Sequence, residues 1–336
     1  MSRLRNKRIA SLICTRLTML FVCIFFWGEG KAQSSEDLIG RCITFLEASD
    51  SIAFRKVYPD IFMRYAAEAS KIYLDSAIHQ GDRQAVQSYL ESLTAAPELD
   101  ALAYYYLSNT EYHPFFRSLS GWEKYERWLD SVKSVPYADI RDEIWRIQRE
   151  DQGIRVLWIN LPKETADTTK AQVRNEMRRV DERNTRRAAQ ILDAFGKWPG
   201  ADVLGASADQ TLWLCIQHAD QRPEVAVRYL PMLKAAVDEK RTVPMYYAYL
   251  VDRIRMHEGR EQVYGTQTYK TKEEDGRSFF FVVPIEDVEH VDERRAAMGM
   301  GPLAEYLEGM GQKWDLVQYQ KDLPKIWTYY RRSKMK

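Results

Sequence analysis

Cysteine is scarce in this chain. Four occur in 336 residues, and only Cys42 and Cys215 lie beyond residue 32. Two thiols so far apart have no metal-site spacing. They could pair in an oxidising compartment. Cys215, however, stands in the apolar run Leu212-Trp213-Leu214-Cys215-Ile216, where a buried free thiol is the expected state. Histidine is scarce too, at five. One His among scattered carboxylates matches no ligand spacing, so no metal and no cofactor is expected. The sequence lacks a Gly-rich phosphate loop, a Gly-x-Ser-x-Gly elbow, a His-Glu-x-x-His pair and a Cys–His nucleophile pattern. It also lacks a basic excess, at a formal net charge of +1, so nucleic acid is not an expected partner. Low-complexity tracts are missing as well. With 20 Tyr, 9 Trp and 12 Phe, the chain has the aromatic density of a folded protein rather than a disordered one.

What is present begins with a leader. Arg3, Arg5, Lys7, Arg8 and Arg16 make a basic start, Leu17 to Trp27 is an apolar run, and Gly30-Lys31-Ala32 offers small residues before Gln33. That order is a secretory signal peptide over 1–32, and it predicts export to the periplasm or beyond. The run falls short of the ~20 apolar residues a span needs, so no stable membrane span is expected in the mature chain. A retained signal anchor and a lipidated Cys23 are the alternatives. Leu20-Phe21-Val22 is bulky where a lipidation signal has small residues. Residues 1–32 hold six basic groups and one acid, which leaves the remainder at −4.

The length suggests about two domains. Residues 33–136 read as helical hairpins. Ile61, Tyr65, Ala69, Ile72 and Tyr73 share one face, and Ala85, Tyr89 and Leu93 recur at helical spacing after a cap at Asp82. Gly81 in His79-Gln80-Gly81-Asp82 permits the turn between them. Phe115-Phe116-Arg117-Ser118-Leu119 with Trp122 and Trp128 resembles the closing segment of tetratricopeptide-like proteins, without a strict repeat. A boundary is expected near Ser134-Val135-Pro136. The segment 137–310 reads as a second helical domain. Its helices cover about 137–160, then up to Phe195, then onward from the capping box Ser207-Ala208-Asp209-Gln210, from Pro223, and from Pro244 to Gly259. Gln262 to Thr271 and Ser278 to Val283 flank Glu274-Asp275-Gly276 as a β-hairpin at about 262–283. Short helices are expected around 292–298 and 303–307. The tail 311–336 carries aromatics that should pack back and a basic end that should be solvated. The predicted fold class is therefore mostly α: a helical-hairpin domain plus an α-helical domain with one β-hairpin.

Polar residues interrupt three apolar stripes. Ile140, Ile144, Ile147, Asp151, Ile154, Trp158 and Leu161 lie on one helical line, and only Asp151 is polar. Val173, Met177, Val180, Asn184, Ala188, Ile191 and Phe195 form another, broken by Asn184, with Asp181 four residues after Met177. Met245, Tyr249, Asp252 and Met256 form a third, broken by Asp252. An unpaired buried carboxylate is costly, so each needs a partner or a shifted pKa. Arg155 is one turn from Asp151, and Arg253 is next to Asp252. Gln217-His218-Ala219-Asp220 ends a wholly apolar helix, where a helix C-terminus and a carboxylate both favour a charged imidazole. His257 fits a C-terminal cap. In Tyr264-Gly265-Thr266-Gln267, Gly265 permits a sharp turn or a close approach.

The pattern Asp151-Gln152-x-x-Arg155, Asp181-x-x-Asn184-Thr185, Trp198-Pro199, Gln217-His218-Ala219-Asp220, Leu250-x-Asp252-Arg253 and Tyr264-Gly265-Thr266-Gln267 resembles an uncharacterised bacterial family, the domain-of-unknown-function 6624 family. Pro284-Ile285-Glu286-Asp287 and Val291-Asp292-x-x-Arg295 extend the resemblance to about 137–308. The resemblance implies no reaction, but its pattern includes Asp151, Asn184, His218 and Asp252. The expected site is a polar pocket drawn from Asp151, Arg155, Asp181, Asn184, Gln217, His218, Asp220, Asp252, Arg253, Tyr264 and Gln267. Its ligand would be an unidentified small molecule or protein, with the N-terminal hairpins as an interaction scaffold. Two alternatives stay open. One is an acid–base hydrolase of an envelope or extracellular substrate using His218 and a carboxylate. The other is a purely structural envelope protein in which these groups are buried ion pairs.

Overall fold

The computed structural model describes residues 33–62, 80–95, 113–127 and 136–334, with Tyr65 and Ile78. The leader 1–32, the face positions Ala69, Ile72 and Tyr73, and Trp128 lie outside these residues. The fold is mostly α, with a single two-stranded antiparallel sheet among the described residues. The described helices of six or more residues are α1 (Gln33–Glu47), α2 (51–62), α3 (Arg83–Ala95), α4 (Ala138–Ile159), α5 (Asp167–Phe195), α6 (Ala206–Gln217), α7 (Pro223–Asp238), α8 (Pro244–His257), α9 (Val291–Ala297), α10 (Leu303–Glu308) and α11 (Leu316–Lys334). The strands are β1 (Thr268–Lys272) and β2 (Ser278–Val282). No described helix is long and apolar enough to cross a membrane.

Local chemistry sets most of the helix ends. Gly81 takes a φ of 67°, and the Asp82 carboxylate accepts from the Ala85 amide at 3.0 Å, which starts α3. Val86 and Leu90 of α3 are buried, whereas Ala85 is exposed; the side chains of Tyr89 and Leu93 lie outside the described ones. Pro223 and Pro244 occupy the first turns of α7 and α8, where a missing N–H costs nothing. Gly259 ends α8 at a φ of 71°. The expected capping box at Ser207 does not form. α6 begins one residue earlier, after Gly205, and the Ser207 hydroxyl donates to Gln148 Oε1 at 3.1 Å instead. The hairpin forms in the register Thr268↔Val282 to Lys272↔Ser278, closed through Gly276 at a φ of 83°. β1 starts six residues later than the pattern suggests: Gln262 makes an isolated bridge to Ile285, and 263–267 lie outside the ladder. The segment expected as a tail is largely the helix α11, and Tyr319, Ile326 and Tyr330 bury against the hairpin's cluster.

The chain divides into two compact units. One comprises Met1–Asn184 with Gly200–Leu212, the other Thr185–Pro199 with Trp213–Lys336. In the first unit, Leu38, Ile39, Cys42, Phe54, Tyr58 and Ile61 share a core with Ile154, Leu157, Val173 and Val180. Residues on both sides of the boundary expected near Pro136 therefore fill one core, and the units part elsewhere, inside α5 and α6. Gly153 shows why the helices can meet so closely. A Cβ there would lie 2.3 Å from the Tyr58 carbonyl oxygen and 2.9 Å from Pro59 Cα, so α4 and α2 touch through backbone. In the second unit α7 packs on α8. A separate cluster gathers Phe281, Val283, Ile285, Leu303, Leu307 and the aromatics of α11. Cys42 and Cys215 are both buried and are not joined to each other, and burial pushes the Cys42 thiol up to about 12.

Candidate functional site

In the first unit, α4 is buried almost all round from Asp151 to Leu157, with only Arg155 partly accessible. Asp151, 1% exposed, is therefore in the core, as its place on the apolar stripe suggests. Arg155 satisfies it. Its Nη1 donates to Asp151 Oδ1 at 3.1 Å and to the Asp151 carbonyl at 2.8 Å, while Nη2 donates to Asp181 Oδ1 on α5 at 2.6 Å. Gln152 Nε2 adds a bond to Asp151 Oδ2 at 2.5 Å. One guanidinium thus clamps two carboxylates, and the trio keeps one negative charge.

Two buried amides flank this clamp. Gln148 lies one turn before Asp151 on α4, and Asn184 one turn after Asp181 on α5; each is 2% exposed. Side chains three apart share a helix face, so both point the way their carboxylate neighbours do. Gln148 Oε1 accepts from Ser207, yet Gln148 Nε2 and Asn184 Nδ2 have no hydrogen-bond partner among the described residues. Leaving a buried donor unmade costs about 1–3 kcal/mol. Ser207, Asp209, Gln210 and Thr211 of α6 are also buried in this unit. None of these was singled out from the sequence as a site residue. The signal at Ser207, Asp209 and Gln210 was the capping-box pattern, which pointed to a different role, and Thr211 had none.

In the second unit, Asp252 has an occupation that the sequence did not disclose. It is wholly buried and does not pair with Arg253. Its Oδ1 accepts from the Val263 and Tyr264 amides at 2.7 and 3.0 Å. Its Oδ2 accepts from the Thr266 amide at 3.0 Å and the Thr266 hydroxyl at 2.9 Å. Gln262 holds the same loop, accepting from the Gln267 amide at 2.7 Å and donating to the Gln267 and Val283 carbonyls at 3.0 and 2.8 Å. From the other side, Arg294 and Arg295 donate to the Val263 and Tyr264 carbonyls at 2.9 and 2.8 Å. Gly265 turns the loop at a φ of 70° against Leu303 and Ile285. Tyr264, Gln267, Asp252 and Arg295 are therefore parts of one structural fastening. Trp198 is anchored similarly, fully buried with its carbonyl held by Arg241.

Arg253 and His257, one turn apart on α8, meet Asp220 instead. His257 Nε2 is 2.9 Å from Asp220 Oδ1, and Arg253 Nη1 is 3.6 Å away. His257 is thus a carboxylate partner and not merely a helix cap. Partial desolvation works to raise the Asp220 carboxyl. The charge of Arg253, the bond and charge of His257 and the charge of His218 outweigh it and hold the group well below the usual carboxylate range. Gln217 Nε2 reaches the Tyr249 carbonyl at 3.5 Å, while its buried Oε1 has no hydrogen-bond partner among the described residues. Nearby, Trp213 stacks on Tyr246 at 4.4 Å and donates to its carbonyl at 3.0 Å.

The molecule is a helical protein with a polar core, containing a carboxylate–guanidinium clamp flanked by buried amides. Residues 138–317, more than half the chain, match DUF6624, a family of unknown function, and the chain belongs to that family. No curated protein and no solved structure matches it.

Proposed function

We propose that the family domain binds a small polyhydroxylated ligand at the cluster of Gln148, Asp151, Arg155, Asp181 and Asn184. The observation that carries this is the pair of buried amide donors, Gln148 Nε2 and Asn184 Nδ2, each one turn from a clamped carboxylate. The amides call for acceptors and the carboxylates for donors; a hydroxyl provides both. The test is calorimetric titration with monosaccharides, disaccharides and linear polyols. Gln148→Leu and Asn184→Leu should abolish binding; Asn184→Leu should leave stability unchanged or higher, since an unmet donor is removed, whereas Gln148→Leu should cost a little because the Ser207 hydroxyl loses its acceptor. If no saccharide or polyol binds and both variants melt much lower, the amides serve packing alone and the proposal fails.

The basic start, apolar run and small residues of 1–32 support export, with the N-terminal helices as a scaffold for a partner. N-terminal sequencing should find Gln33 first in protein recovered outside the cytoplasm, and a retained Met1 would contradict this. The half-exposed Asp220 between Arg253 and His257 favours a second reading, an acid–base hydrolase. Saccharide that is bound but stays intact on long incubation, in wild type as in His257→Ala, would sink that reading and leave the binding module.

A further inference from the structure

Away from the amide cluster, the first unit holds an open cavity of about 200 Å³ where α2 meets α5. Its deep wall is Glu176, 4% exposed. Arg55 grips both oxygens of that carboxylate, Nε to Oε1 at 2.8 Å and Nη2 to Oε2 at 3.0 Å, and Arg179 Nη1 approaches Oε2 at 3.4 Å. Burial works to raise the Glu176 carboxyl, but the two arginines outweigh it and keep it ionised. One carboxylate between two guanidiniums leaves the trio at +1. Both arginines remain substantially accessible, and Arg55 Nη1 and Arg179 Nη2 make no bond among the described residues. A guanidinium pinned by a buried carboxylate is a pre-organised fork for an incoming oxyanion. Phe54 and Leu46 give the cavity an apolar floor. The size is informative as well, since a cavity of about 150 Å³ accommodates a benzene ring.

We propose that this cavity binds a small carboxylate with a compact apolar body, the oxyanion on Arg55 and Arg179 and the body on Leu46 and Phe54. Glu176 is then a positioning residue that aims the two forks. Its own charge is spent on them, so a cation is not the favoured guest. The site shares no residue with the amide cluster, and neither proposal depends on the other.

The experiment titrates the full chain with benzoate, with benzamide as the uncharged control and inorganic phosphate as the head group alone, read by calorimetry. Benzoate should bind at least about tenfold more tightly than benzamide, the worth of one charge-assisted hydrogen bond. Arg179→Gln should weaken benzoate by about tenfold with the melting temperature unchanged, because that side chain is mostly exposed. Arg55→Gln alone strands the buried Glu176 and threatens folding, so Arg55→Gln with Glu176→Gln is the companion variant and should abolish binding. Asn175→Trp on the exposed rim of α5 should block entry, whereas Asn184→Leu should leave benzoate affinity as it is. Equal binding of benzoate and benzamide, or wild-type affinity in both Arg179→Gln and Asn175→Trp, overturns the proposal. So does the absence of benzoate binding in a chain that melts cooperatively. Phosphate binding as tightly as benzoate would show that the apolar floor contributes nothing, and would overturn the assignment to a carboxylate with an apolar body.

Discussion

Asp220 shows how far a side chain's partners can lie from it in sequence. Its carboxylate meets His257, 37 residues on, and the charge of Arg253, 33 residues on. Its carboxyl is held below the ordinary carboxylate range, so it favours the folded state wherever the unfolded chain would still take up a proton. That contribution is complete above the unfolded value of about 3.9 and is lost as pH falls through the folded value. Half-exposed as it is, the effect is screened by solvent and modest. Asp220→Asn should therefore lower the melting temperature slightly at pH 6 and progressively less toward pH 2, as followed by circular dichroism. A deficit that is constant across that range would mean lost packing instead of lost charge. The Asp151–Arg155 pair is the contrasting case. It was legible from a four-residue spacing, because neighbours on a helix face must meet.

The loop 262–267 is the clearest lesson among the elements. Its alternating residues resemble a strand, and a β1 beginning at Gln262 follows from that pattern. Gln262 makes an isolated parallel bridge to Ile285; five bonds to Asp252 and three through the Gln262 side chain then draw the backbone off the strand path, and the antiparallel ladder with β2 starts only at Thr268. Asp252→Ala would strand the buried Tyr264 and Thr266 amides, at about 1–3 kcal/mol each, and the part-buried Val263 amide. It should cost several kcal/mol, with hydrogen exchange at Val263, Tyr264 and Thr266 accelerating before α8 loosens. Asp252→Asn keeps one acceptor oxygen and should cost less. Uniform exchange across the second unit in Asp252→Ala would show that the fastening has no local role.

In the whole molecule, the shared core bears on whether the C-terminal part folds independently. Complete apolar stripes on α4 and α5 suggest that 137–336 could fold alone. Those stripes are instead covered by Leu38, Ile39, Phe54, Tyr58 and Ile61. A chain starting at residue 137 should melt without a sharp transition and bind a hydrophobic dye through its uncovered Ile154, Leu157, Val173 and Val180. Gly153→Ala in the full chain should cost about 1–3 kcal/mol, because the new methyl meets backbone that cannot rotate away. A cooperative melt and no dye binding in the shortened chain would mean that these contacts are dispensable.

Sequence alone determined the helical class, most helix ends and the family, for a shared reason. Pro at a first turn, Gly at a positive φ and apolar spacing all act within a few residues, so steric rules read them directly. It also marked Asp151, Asn184 and Asp252 as polar intruders on buried faces, and all three are buried. Tertiary structure alone decided what each intruder does. Asp252 fastens a loop, Asp151 shares an arginine with Asp181, and Asn184 keeps an unmet donor. The Arg55–Glu176 fork spans 121 residues of sequence, and no local rule reaches that far. Burial forces a polar group to find a partner, but which partner is within reach depends on how the chain has already packed.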